Sequence, residues 1–272
     1  MMPIKKISYA LFTLLFITVA SYAQKAKKEK TEEPRDENKY KKLENYYSLE
    51  KYIDCLYKAE GYMEKENYSK DPEPYLYASM CYLAIYKDPD PYPLKKYPEL
   101  KNPLKDALSN FAKFRKRDKT GEVYEQNKSF ADELRGIVMQ ETEKMYEKKD
   151  ITHLSSTARD ISKAYDKDEV MLMISGAYLS YTNNLSEGIK AAETAMAMLK
   201  PKAASAEKPK YTADEEKALA QAFIVYSDYL MSRKDNVNAA KAKDAITLGH
   251  TLLTDNDKVS KQFEKINGGA AK

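Results

Sequence analysis

From about Tyr40 onward the apolar residues recur at helical spacing and never yield to the alternation of a half-buried strand. Leu49, Tyr52, Ile53, Leu56 and Tyr57 stand at i, i+3, i+4, i+7 and i+8. The same pattern runs through Leu104, Ala107, Leu108, Phe111 and Phe114, then Phe130, Leu134, Ile137 and Val138, then Leu154, Ala158, Ile161 and Tyr165. It continues in Val170, Met173, Ile174, Ala177, Tyr178 and Tyr181, in Ile189, Ala192, Met196 and Leu199, in Leu219, Ala222, Phe223, Tyr226 and Leu230, and in Ala242, Ala245, Ile246, Gly249 and Leu253. Each set is one apolar stripe on a helix of ordinary length. Stripes of this kind bury themselves against one another, so the expected fold is all-α.

The breaks between stripes agree. Asp71-Pro72-Glu73-Pro74 opens a helix over Tyr75–Tyr86, placing proline where a missing N–H matters little. Thr212 stands three residues before Glu215, the spacing of a capping box. Pro201 is expected to close the helix bearing Ile189, and Gly121 to stop the helix ending in the basic run 113–119. Short polar turns at Asn183-Asn184 and Lys234-Asp235-Asn236 force antiparallel neighbours. Two longer excursions remain, residues 87–103 (KDPDPYPLKKYPELKNP) and residues 200–211 (KPKAASAEKPKY).

The start of the chain reads as a processing signal over residues 1–23. Lys5 and Lys6 precede an uncharged apolar stretch from Ile7 to Ala20, and Ser21-Tyr22-Ala23 sets small residues before a cut at Gln24. That stretch is shorter than the roughly 18–20 residues of a membrane-crossing helix, so no transmembrane anchor is expected in the mature chain. Residues 24–39 are a flexible polar leader, 40–266 the helical domain and 267–272 a tail. The expected location is the periplasm, extending to the periplasmic face of the outer membrane. Without Lys5 and Lys6 the chain carries 44 basic against 42 acidic residues, which gives no electrostatic case for a nucleic-acid partner.

The stretch Val170–Pro201 resembles a tetratricopeptide repeat. Ser175-Gly176-Ala177-Tyr178 looks like the small-residue-then-Tyr core of that family's first helix. Asn184-Leu185-Ser186-Glu187-Gly188-Ile189 looks like its turn and the small residue opening its second helix, with Ala195 and Pro201 at the later positions. Residues 75–114 match more loosely, through Tyr75, Ala78, Tyr82, Ala107 and Phe111. Second helices are expected near 49, 104, 154, 187 and 237, spaced by 55, 50, 33 and 50, against a family repeat of about 34 residues. The resemblance implies a right-handed α-solenoid of about four helical hairpins with irregular insertions, binding peptides or protein surfaces.

Signatures of catalysis are not found. His153 and His250 stand on different hairpins with no partner at metal-ligand spacing, and no GxSxG, phosphate loop or dinucleotide fingerprint appears. The chain is read as non-catalytic, with no metal and no cofactor. Binding candidates remain. The helices Tyr75–Tyr86 and Val170–Thr182 hold no charged residue; either neighbours cover them or they present an apolar groove through Leu76, Met80, Leu83, Leu172 and Leu179. Tyr92 and Tyr97 in the proline-rich excursion are a second candidate contact, against a plain insertion. The run Lys113–Lys119 either complements a helix dipole or meets anionic lipid or an acidic partner. Cys55 and Cys81, on consecutive antiparallel helices, are either a disulfide or two small core residues. The functional expectation is a scaffold or adaptor for other envelope proteins, soluble and part of an envelope or outer-membrane complex. The alternative is a periplasmic protein that binds a small ligand or glycan by tyrosine stacking.

Overall fold

A computed structural model describes residues 39–88, 97 and 100–268; the expected signal segment, most of the leader and Tyr92 lie outside them. The chain divides into two units, Met1–Lys41 and Lys42–Lys272. The described residues form twelve helices and no strand. In order these are α1 (Lys41–Ser48), α2 (Tyr52–Met63), α3 (Glu73–Lys87), α4 (Pro103–Arg117), α5 (Glu122–Gln126), α6 (Lys128–Glu147), α7 (Ile151–Ala164), α8 (Glu169–Tyr181), α9 (Leu185–Ala204), α10 (Ala213–Ser232), α11 (Asn236–Leu252) and α12 (Asp257–Asn267). None of them is long and apolar enough to cross a membrane.

Local chemistry sets the boundaries. The capping box forms as expected: the Glu215 amide donates to Thr212 Oγ1 at 3.3 Å and the Thr212 amide donates to Glu215 Oε2 at 2.8 Å. Asp150, Asp168, Asp235 and Asn256 cap α7, α8, α11 and α12 by accepting an amide three residues on. Four turns share one geometry. Between α1 and α2, α6 and α7, α8 and α9, and α10 and α11, the residue with positive φ is Glu50, Lys149, Asn183 or Lys234. In three of them the following amide donates back five residues, Lys51 to Tyr46, Asp150 to Met145 and Asn184 to Leu179, the bond of a Schellman cap. One reversal is therefore used repeatedly, although those turns share little sequence.

Several boundaries differ from the sequence reading. Leu49 is no stripe residue: it sits in the first of these turns, 64% exposed, and α2 buries Cys55, Leu56 and Ala59 instead. Second helices begin at 52, 103, 151, 185 and 236. Pro201 does not end α9, which runs on to Ala204. Only the bond to the carbonyl four residues back is lost, and Ala197 there is exposed, so its carbonyl is not stranded in the apolar core. The stop after the basic run is Asp118, while Gly121, at φ 77°, begins α5. A separate amphipathic α12 buries Val259, Gln262 and Ile266 against the end of the array.

The helices pack in two layers. Each first helix packs against its own second helix, in the pairs α3–α4, α6–α7, α8–α9 and α10–α11. Within the first layer α8 packs on α10 and α10 on α12, and in the second α4 packs on α7 and α9 on α11. The tightest pair is α8–α9. A Cβ on Gly176 would lie 2.5 Å from the Ala192 amide nitrogen, and one on Gly188 2.6 Å from that of Ser180. These are the small residues of the tetratricopeptide resemblance, and they let two backbones touch. Helix α6 departs from simple stacking, since it lies against both α8 and α10. Tyr146 sets its ring 5.4 Å from that of Tyr178 and, edge-on, 5.0 Å from that of Tyr181, while Glu143 pairs with Lys217 at 2.8 Å.

Candidate binding site

Helix α8, uncharged from Val170 onward, is covered on every side, by α6, α7, α9 and α10, and all of Val170–Ser180 is buried. Leu172 and Leu179 are therefore core, not groove, residues. Leu76 and Leu83 on α3 are equally buried, and of the five groove candidates only Met80 keeps some exposure. The two apolar helices are apolar because they are central. Tyr97 is half-buried, with its ring 6.1 Å from that of Tyr57.

Cys55 and Cys81 meet, as their heights on antiparallel helices require. They stand as two free, buried thiols. Cys81 is hydrogen-bonded to Cys55, and Cys55 Sγ donates to the Leu43 carbonyl oxygen at 3.5 Å. That contact and burial hold the Cys81 thiol protonated, well above its usual range. Uncatalysed attack on a disulfide is slow for such a thiol. For protein exported into an oxidising compartment and purified without reductant, a non-reducing peptide map is expected to give one pair of peptides linked through Cys55 and Cys81. Two free thiols there would leave the pair as core residues alone.

The open surface with the most concentrated chemistry lies at the opposite ends of the helices from the repeated turns, where one hairpin connects to the next. Two adjoining clefts there share Arg115, Tyr124 and Lys167. The larger, about 1020 Å³, runs from Ser109 and Lys113 past Thr120 to Asp160 and Asp166. The smaller, about 460 Å³, continues past Asp168 and Glu169 to Pro209, Lys210 and Tyr211. Three consecutive connections, α4 to α6, α7 to α8 and α9 to α10, thus lie side by side.

Each wall has a structural cause. Asp118 is buried because its carboxylate accepts the Tyr124 amide at 2.7 Å, which folds the α4–α5 connection back on itself. Tyr124 then lies beneath the Arg115 guanidinium, 3.9 Å from ring centre to Cζ. Arg135 of α6 forms the floor of the smaller cleft. Its Nε donates to Asp168 Oδ2 at 2.6 Å, and its Nη1 meets Glu215 Oε1 at 2.7 Å, so one guanidinium ties the caps of α8 and α10 together. Burial pushes the Glu215 carboxyl up, but the Thr212 amide and Arg135 outweigh it and hold the group below its ordinary value. Beside it the Tyr211 hydroxyl is enclosed with no hydrogen-bond partner, and burial raises its pKa to about 12.

The cations of this surface fall into two groups. Arg135 is matched by Asp168 and Glu215, Lys202 by Glu169 and Lys163 by Asp160. Lys113, Arg115, Lys116, Lys119, Lys167 and Lys210 make no ion pair among the described residues, although Asp118, Glu125 and Asp166 line the same cleft. Elsewhere ion pairs form at Lys128–Asp132, Arg159–Glu187, Lys241–Glu193 and Lys265–Asp228, while many other exposed cations, Lys243 and Lys258 among them, form none among the described residues. Arg115, Lys116 and Arg117 occupy the last turn of α4, where the helix dipole favours them. Lys167, Lys210, Tyr124 and Tyr211 come from other connections, and no local pattern in the sequence links them to that run. Among the described residues no cluster of His, Cys, Asp and Glu could hold a metal ion. In comparisons with known proteins no family model matches the chain, nor does any curated protein or solved structure.

Proposed function

We propose that this chain is a non-catalytic protein-interaction scaffold: a right-handed, tetratricopeptide-like stack of helical hairpins that acts outside the cytoplasm as a soluble component of a cell-envelope or outer-membrane-associated complex. The observation that carries the reading is the cleft crossing three successive hairpin junctions. Its walls are connections between repeats rather than convergent catalytic groups, and it is open along its length. Stacked repeats offer extended surfaces of this kind to partners. The repeated Schellman turn and the Gly176 and Gly188 contacts support the tetratricopeptide likeness. The glycan-binding alternative has less support, because the tyrosines face one another. Tyr47 packs 5.5 Å from Tyr52 and 6.3 Å from Tyr77, and Tyr146 packs on Tyr178 and Tyr181, so these rings are engaged with one another.

The test places a photo-crosslinking amino acid at Thr120, on the cleft, and at Lys243, exposed on α11, in cells that make the protein naturally. A discrete protein adduct from position 120 but not from 243, on a chain beginning at Gln24 in the envelope fraction, is the expected result. Recovery of the uncut chain from the cytosol, or no adduct from position 120, would remove the proposal.

A further inference from the structure

We infer that the junction cleft seats an extended acidic segment of a partner protein, whose carboxylates face Arg115, Lys116, Lys119, Lys167 and Lys210. The inference rests on the scaffold reading above and adds the chemistry of the partner. Charge comes first: six cations without an ion pair, Lys113 with the five above, share the cleft with three carboxylates in the same state, Asp118, Glu125 and Asp166. Holding like charges together is unfavourable unless a counter-charge arrives, and a partner carboxylate supplies it.

The distribution of those charges argues for an extended occupant. They come from the end of α4, the α4–α5 connection, the α7–α8 connection and the α9–α10 connection. A compact anion would reach only one end. Packed helices lie about 8–10 Å apart, so three adjoining junctions span about 20 Å. At about 3.3 Å per residue an extended segment of roughly six residues covers that length. The chain's near balance of charge disfavours a polyphosphate backbone.

The experiment uses the mature chain from Gln24 and three probes: a fluorescent octaglutamate, a matched octaglutamine, and vesicles containing phosphatidylglycerol. Fluorescence anisotropy is expected to show octaglutamate binding, weakening as salt rises, with octaglutamine at least about tenfold weaker. The double variant Lys119→Glu, Lys167→Glu, both exposed positions, is expected to bind octaglutamate about tenfold more weakly with an unchanged thermal melt. Equal binding of the two peptides, or no loss in the double variant, would overturn the inference. So would vesicle binding that the double variant abolishes without any peptide binding, which would assign the cations to a lipid surface. If crosslinks from position 120 persist while octaglutamate fails, only the acidic partner is lost; if both fail, the scaffold reading goes with it.

Discussion

Gly176→Val lowers the melting temperature by roughly 6–12 °C, an expected loss of about 3 kcal/mol at about 2–4 °C per kcal/mol for a domain of this size. Helix propensity alone predicts the opposite sign, since glycine inside a helix is less favourable than alanine by about 0.5–1 kcal/mol. Packing reverses it. The added Cβ would meet the Ala192 amide nitrogen at 2.5 Å, its Cβ at 2.7 Å and its Cα at 2.8 Å. Two of those three atoms are backbone in the middle of α9 and cannot rotate aside, so the two helices must separate. Such overpacking costs about 1–3 kcal/mol or more, and valine's second methyl adds to it. Gly136→Ala on α6, where nothing lies within 4 Å, is the control and is expected to stabilise by up to about 1 kcal/mol. A parent-like melt for Gly176→Val would show that α8 and α9 do not touch there.

Arg135→Met is the second large effect, an expected loss of about 2–4 kcal/mol. The Arg135, Asp168 and Glu215 side chains are only 17%, 24% and 19% exposed. Removing the shared cation leaves two carboxylates without their counter-charge, and breaking a buried pair this way costs about 3–5 kcal/mol, reduced here by partial solvent access. The methionine keeps much of the apolar stem, so the loss reports the charge. The effect depends on pH with a definite sign. Glu215 is held below its ordinary value of 4.5, so its contribution is fully present above that pH and is lost as pH falls through the lower folded value. The gap between parent and variant in urea midpoint is therefore expected to narrow on acidification below about pH 4. A gap that stays constant with pH would mean that packing, not charge, accounts for the loss.

Helix identity and most hairpin partners were legible because the apolar stripes are long and periodic, and because Thr212–Glu215 and the prolines at 72 and 74 mark starts by local chemistry. The boundary at Leu49 was not. Glu50 in left-handed conformation breaks the helix there, and nothing in its residue type announces it. Whether the apolar helices are covered by neighbours or form a groove was left open by the sequence, because an all-apolar helix signals only that it must be covered. That α6 crosses both α8 and α10 is a long-range fact, carried by Arg135 and Tyr146 and by no spacing along the chain. Within the cleft the basic run at the end of α4 was visible, whereas its companions Lys167 and Lys210 lie on connections with no periodic signal.

The four matching turns have a consequence for how this architecture varies. Measured between starts of second helices, the sequence period drifts, yet one edge of the stack repeats the same reversal. Apart from the excursion inside the α3–α4 pair, length differences therefore accumulate where one hairpin hands over to the next, such as the 205–212 stretch. Those handovers also build the cleft walls. Substitution at exposed cleft positions such as Lys119 and Lys167 therefore alters that surface while the opposite edge keeps the helices in register.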